Sequence, residues 1–160
     1  MKAAVLTISD RVSRGLADDR SGDALDELLR EDGYAVVRRV VSDDVGPIAD
    51  AIRELAADAD LVLTTGGTGV APRDVTPEAT LSVLDREAPG IPEALRRDSL
   101  EKTPHGLLSR GVAGIAGSAL VVNLPGSPGG CRDGYAVLRP ALPHALELLA
   151  DVPTEHRQTR

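Results

Sequence analysis

Gly66-Gly67-Thr68-Gly69 is the stretch of this sequence best suited to chemistry. Its glycines let the backbone approach an anion closely, because no Cβ blocks access and positive φ is allowed. Arg73 and Asp74 come next. They precede Thr76-Pro77, which reads as a helix start with Thr76 as N-cap and Pro77 at the first helical position. The run is not a P-loop, since no Gly-Lys-Ser/Thr follows, and it is not the dinucleotide GxGxxG. A tight strand-to-loop turn with no ligand accounts for the glycines equally well.

Carboxylates decide what the loop could hold. As a structural residue, Asp74 could bond backbone amides at the following helix N-terminus. As a functional residue it could hold Mg²⁺, which takes one or two carboxylates together with phosphate oxygens and water. Asp43 follows a second strand, with Asp44 behind it as the expected helix cap. Two carboxylates from neighbouring strand ends facing a glycine loop suit a divalent cation bound with a phosphate ligand. Arg11, Arg14, Arg73 and Arg110 are the cations placed to meet phosphates, because the guanidinium fork matches them bidentately. The plain alternative is that they are solvated surface groups. Ser109, beside Arg110, is a further phosphate donor candidate. His105, His144 and His156 have no metal or triad spacing, and no GxSxG elbow supports Ser-His-Asp hydrolysis. Cys131 reads as a packing residue.

Alternating strands and helices must position these groups. Residues 3–9 (AAVLTIS) form a continuous apolar run typical of a buried parallel strand, followed by a polar loop over 11–20. A helix starts at Ser21 with the stripe Ala24, Leu25, Leu28, Leu29, and Gly33 ends it. Residues 34–41 read as a second strand, with Arg38 and Arg39 marking an end near solvent. Ile48, Ile52, Leu55 and Ala56 give the next helix, and 61–65 the third strand. Helices are expected over 76–84, 90–102, 131–138 and 140–150, and a strand over 119–124. Residues 109–117 fit strand or helix. The whole reads as one domain over 1–153 with a frayed tail over 154–160. Such alternation implies an α/β sandwich with a mainly parallel sheet, whose ligands sit beyond the C-terminal strand ends.

Composition removes several function classes. Two tyrosines are the only aromatics among 160 residues, so stacking platforms for single-stranded nucleic acid are nearly excluded. A net charge of −7 opposes binding to nucleic acid or anionic lipid. No apolar run approaches membrane-spanning length, no signal peptide is visible, and a lone cysteine forms no internal disulfide. A cytoplasmic protein is expected.

The motifs then take on a specific resemblance. TTGGTG followed by RDVTPEAT, with SDR after the first strand and NLPGSPGG after the last, is similar to the MogA/MoaB family of molybdenum-cofactor biosynthesis proteins over 2–149. The resemblance implies a three-layer α/β/α sandwich with a mixed, mainly parallel sheet in which one late strand, 109–117, runs antiparallel beside 119–124. It also implies a homotrimer or a hexamer of two trimers. The implied activity is Mg-ATP-dependent adenylylation of molybdopterin, giving adenylyl-molybdopterin and pyrophosphate. Matched residue by residue, the family's essential aspartates fall on Asp43 and Asp74, which would also hold Mg²⁺. The pterin and phosphate loop falls on Thr65, Gly66, Gly67, Thr68 and Gly69, with Thr76 behind it. Ser9, Asp10 and Arg11, with Pro125, Gly126, Ser127 and Pro128, complete the implied pocket, and Ser109 matches a position near the nucleotide phosphate. The rival readings are a non-catalytic molybdopterin-binding paralogue acting as an oligomeric scaffold, a relative of the competence-damage proteins acting on nicotinamide compounds, and a structural oligomer.

Overall fold

A computed structural model describes residues 1–150. The expected domain limit at 153 and the tail over 154–160 lie outside the described residues. Six strands form one sheet: β1 (Lys2–Ile8), β2 (Ala35–Val41), β3 (Leu61–Thr65), β4 (Arg86–Glu87), β5 (Ala113–Ala116) and β6 (Ala119–Leu124), in the order β2-β1-β3-β6-β5-β4. The first four strands in that order are mutually parallel, while β5 is antiparallel to both β6 and β4. The mixed sheet with one late antiparallel strand is therefore present, and the ambiguous 109–117 segment contributes β5. The two-residue β4 has no sequence signature of its own, since an exposed Arg86-Glu87 pair reads as loop.

Helices cover both faces because β1, β3 and β6 are buried at every position except Lys2. Successive side chains of a strand point to opposite faces. Ala3 and Val5 of β1, with Leu61 and Leu63 of β3, meet Leu25 and Leu29 of α2 (Arg20–Glu31) and Tyr135 and Leu138 of α6 (Pro128–Leu138). Ala4, Leu6 and Ile8, with Val62, meet Ile48 and Ile52 of α3 (Val45–Ala56) and Ala79 of α4 (Thr76–Leu81). The result is the three-layer α/β/α sandwich, completed by a four-residue helix α1 (Asp10–Ser13), α5 (Gly90–Lys102) and α7 (Leu142–Ala150). Gly33, at φ +86°, follows α2 in the left-handed conformation expected of its terminator.

Several boundaries differ for physical reasons. The first part of the expected 11–20 loop is helical, because the Ser9 side chain accepts from the Val12 N–H and caps α1. Val75, not Thr76, occupies the cap position of α4, and the buried Thr76 hydroxyl instead donates to the Gly66 carbonyl at 2.8 Å. Asp44 sits at the cap of α3 but makes no capping bond; its carboxylate takes the Ser42 hydroxyl and the Arg73 guanidinium. Arg38 and Arg39 lie mid-strand rather than at an end. They are accommodated because β2 is an edge strand, with Arg38 reaching Asp19 and Asp23 while Arg39 reaches Glu54.

Candidate functional site

Register aligns the strand ends. Ile8 pairs with Val41, Thr7 with Thr65, and Thr65 with Leu124, so Ser9, Ser42, Gly66 and Pro125 leave the sheet along one edge. The chain leaves β1 toward β2 on one side and β3 lies on the other, which makes this edge a topological switch point.

The glycine loop is compressed between its neighbours. Gly66 (φ +101°) and Gly67 (φ +64°) adopt conformations that L residues with a side chain avoid. A Cβ at Gly66 would lie 2.3 Å from the Ile8 carbonyl oxygen, and one at Gly67 would lie 2.4 Å from the Thr76 hydroxyl and 3.4 Å from Asp43 Oδ1. At Gly69 a Cβ would come within 2.8 Å of Asp74 Oδ2. Both expected carboxylates therefore flank the loop; the positive φ and the Thr76 hydroxyl require glycine at 67, and a side chain at 69 would crowd Asp74.

Asp43 is held by a reciprocal pair of bonds. The Asp10 backbone N–H donates to Asp43 Oδ2 at 2.7 Å, and the Asp43 N–H donates to Asp10 Oδ1 at 3.1 Å. Burial pushes the Asp43 carboxyl above the ordinary carboxylate range, the Asp10 N–H opposes that shift, and the charges of Asp10 and Asp74 add to it. Arg73 hydrogen-bonds Asp10 at 2.6 and 3.0 Å and, with the Asp43 N–H, holds the Asp10 carboxyl below its usual range. Asp74 is held differently: its Oδ2 accepts the Ala71 N–H at 2.9 Å. Among the described residues, Asp43 Oδ1 and Asp74 Oδ1 accept no hydrogen bond. No set of three or more His, Cys, Asp or Glu side chains there is grouped to hold a metal unaided.

Two clefts flank this centre and share no lining residue. The larger, about 600 Å³, runs from Thr68, Gly69 and Asp74 past Ser109, Pro125 and Ser127 to α5 and the 3₁₀ turn Pro104–Leu108. The smaller, about 280 Å³, collects Ser9, Thr65, Gly66, Gly126 and Pro128 near the switch point. Gly126 packs on Gly66 in the lining of the smaller cleft, where an added Cβ would stand 3.2 Å from the Gly66 Cα. Asp10, Arg11, Asp43, Gly67 and Thr76 line neither cleft.

Most candidate hydroxyls are committed to backbone. Thr65 donates to the Pro125 carbonyl at 2.7 Å, Thr76 to Gly66, Ser9 caps α1, and Ser127 caps α6 by accepting from Gly130 at 3.1 Å. Ser109 lines the larger cleft and accepts a long bond, 3.4 Å, from the Gly111 N–H. Arg11 is exposed with no side-chain hydrogen bond among the described residues. Cys131 is buried against Thr65 and Pro125, and burial pushes its thiol up to about 11, so it is no nucleophile at neutral pH.

Sequence reasoning overlooked the far wall of the larger cleft. Leu95, Asp98, Ser99 and Lys102 present one face of α5 to it, with Lys102 bonded to Asp98 and paired with Asp133 of α6. Their i, i+3, i+4, i+7 spacing was the available signal, but a polar helix face looks identical when it faces water.

The comparisons agree with this architecture. Residues 4–144 match the family model described as "Probable molybdopterin binding domain". Molybdopterin adenylyltransferase of Helicobacter pylori is 39% identical over 91% of this chain and 85% of its own length. Gephyrin of Dictyostelium discoideum is 39% identical over 96% of this chain, which spans only 24% of gephyrin's length. The molybdopterin biosynthesis Mog protein of Mycobacterium ulcerans superposes with a TM-score of 0.88 at 43% identity, covering 92% of this chain and 98% of that one.

Proposed function

The chain belongs to the molybdopterin-binding domain family, and from that premise we propose that it adenylylates molybdopterin in molybdenum-cofactor biosynthesis. The observation that carries this reading is the pair Asp43 and Asp74, each with one carboxylate oxygen that accepts no hydrogen bond among the described residues and both beside the glycine loop near a cleft of about 600 Å³. The relatives named molybdopterin adenylyltransferase support the choice of substrates, molybdopterin and ATP.

The donor set fits Mg²⁺, a hard cation that takes few carboxylates and completes its shell with phosphate oxygens and water. Asp43 and Asp74 would hold it, and it would neutralise phosphate charge. The terminal phosphate oxygen of molybdopterin attacks the α-phosphorus of ATP in line. A new P–O bond forms as the bond to the bridging oxygen breaks, and pyrophosphate leaves with that electron pair. No protein nucleophile takes part. Thr68, Gly69 and Ser109, on the wall of the larger cleft, orient the phosphates, and the closed packing of Gly66 on Gly126 keeps the loop rigid. The acceleration comes from positioning and charge stabilisation. The protein works as a trimer or a hexamer of two trimers, as the family resemblance implies, and no helix among the described residues is long and apolar enough to cross a membrane.

Incubating purified protein with molybdopterin, ATP and Mg²⁺ tests the reading, with adenylyl-molybdopterin and pyrophosphate as the expected products. Binding of molybdopterin without turnover would establish the non-catalytic binding role instead, and absence of binding would remove both. Sedimentation of the same preparation at a single-protomer mass would overturn the assembly.

A further inference from the structure

Arg110, expected from the sequence to meet phosphate, is built into the loop that carries Asp74. Its Nε donates to the Gly69 carbonyl at 2.7 Å, its Nη2 to the Asp74 carbonyl at 2.5 Å, and its own backbone N–H to the Thr68 carbonyl at 2.8 Å. Glu78, on the first turn of α4, grips the guanidinium through both carboxylate oxygens. This contact holds the Glu78 carboxyl below its usual range. One side chain thus ties both feet of the segment 69–74. The segment's internal bonds run only between Ala71 and Asp74, and its other side-chain tie is the exposed pairing of Arg73 with Asp10 and Asp44. Four of the five guanidinium N–H groups are engaged in these bonds, which leaves little to offer a phosphate.

We propose that Arg110 is a positioning residue for the adenylyl transfer: through the carbonyls of Gly69 and Asp74 it sets where the Asp74 carboxylate stands, and Glu78 orients the guanidinium for that task. The inference rests on the reading of Asp74 given above. Its physical ground is that a displacement of about 1 Å at a catalytic group costs about 100-fold in rate. Lysine is a poor substitute, since a point charge cannot serve two carbonyls and a carboxylate as a planar fork does.

Arg110→Ala, Arg110→Lys and Glu78→Gln are compared with the parent protein for kcat, for KM toward ATP, and for amide hydrogen exchange over residues 69–74. Arg110→Ala is expected to lower kcat about 10- to 100-fold with KM for ATP changed less than about threefold, and to speed exchange over 69–74. Arg110→Lys should recover only part of that loss. Glu78→Gln, which contacts neither cleft, should shift kcat and exchange the same way by a smaller factor, and carries the test if Arg110→Ala does not fold. A raised KM with unchanged kcat, or a normal Glu78→Gln beside an impaired Arg110→Ala, would show direct phosphate contact and overturn the proposal. Unchanged exchange in both variants would do so as well. If the parent protein itself makes no product, the functional reading falls, while exchange still decides whether Arg110 positions the loop.

Discussion

Asp43 and Asp74 flank the same glycine loop, yet the regions that hold them are built on different principles. Asp43 sits at the end of a strand and is locked by a two-way backbone exchange with Asp10 on the adjacent strand end. Its placement follows from sheet register, and its surroundings are dry enough to raise its pKa. Asp74 stands in a loop outside the sheet, on the wall of the larger cleft, and depends on Arg110 and Glu78 at the loop's feet. Support built on strand ends and support built on a loop therefore meet across three glycines. The first fixes a reference point, while the second lies where a substrate can be reached.

That contrast makes the carboxylates unequal. Asp74→Asn should leave the fold intact and lower kcat by about 10³-fold, whereas Asp43→Asn should cost about 10²-fold, because only Asp74 lines the cleft. A larger loss for Asp43→Asn would break the comparison. The two should also differ in stability. Because the folded Asp43 pKa is raised, its neutral form favours folding, and that contribution is lost as pH rises through the folded value. Asp43→Asn should therefore raise the melting temperature at pH 7 relative to the parent, with the gain vanishing below the raised pKa. Activity of the parent should fall as Asp43 protonates.

Next in size comes the glycine loop that the two regions share. Gly66→Ala forces a Cβ onto the Ile8 carbonyl at a positive φ, and should cost about 3 kcal/mol in chemical denaturation. A loss under about 0.5 kcal/mol would mean the loop can move away, contrary to the support ascribed to the strand ends. The smallest effect belongs to Arg73→Ala. Its partners are Asp10 and Asp44, but the side chain is 56% exposed, so stability should change little and the change should shrink in salt. Turnover should fall only a few-fold, as Asp10 loses its cation while the bonds between Asp10 and Asp43 persist.

How much of this was legible beforehand can be judged residue by residue. The apolar runs of β1, β3 and β6 announced a doubly covered sheet, and Gly66 and Gly67 announced positive φ. Thr76 was legible as a helix start but not as a partner of Gly66, since a hydroxyl's choice between its own helix and a distant carbonyl depends on what folds against it. Asp10 read as a pocket residue, and its carboxylate is in fact occupied by Arg73 and the Asp43 amide. Arg110 read as a phosphate cation because its two carbonyl partners, 41 and 36 residues away, leave no local pattern.

The sequence by itself determined the layers, the sheet edge on which polar and glycine-rich turns gather, and the pair of carboxylates there. Those features follow from local periodicity and from the backbone freedom of glycine, both of which are written residue by residue. Only the tertiary structure decided that the edge opens into two clefts rather than one, that α5 supplies the far wall, and which charged groups remain free. These outcomes depend on which distant donors and acceptors reach one another once the layers close, and the packing of Gly126 on Gly66, too close to admit a Cβ without crowding the Gly66 Cα at 3.2 Å, exists only in the packed molecule.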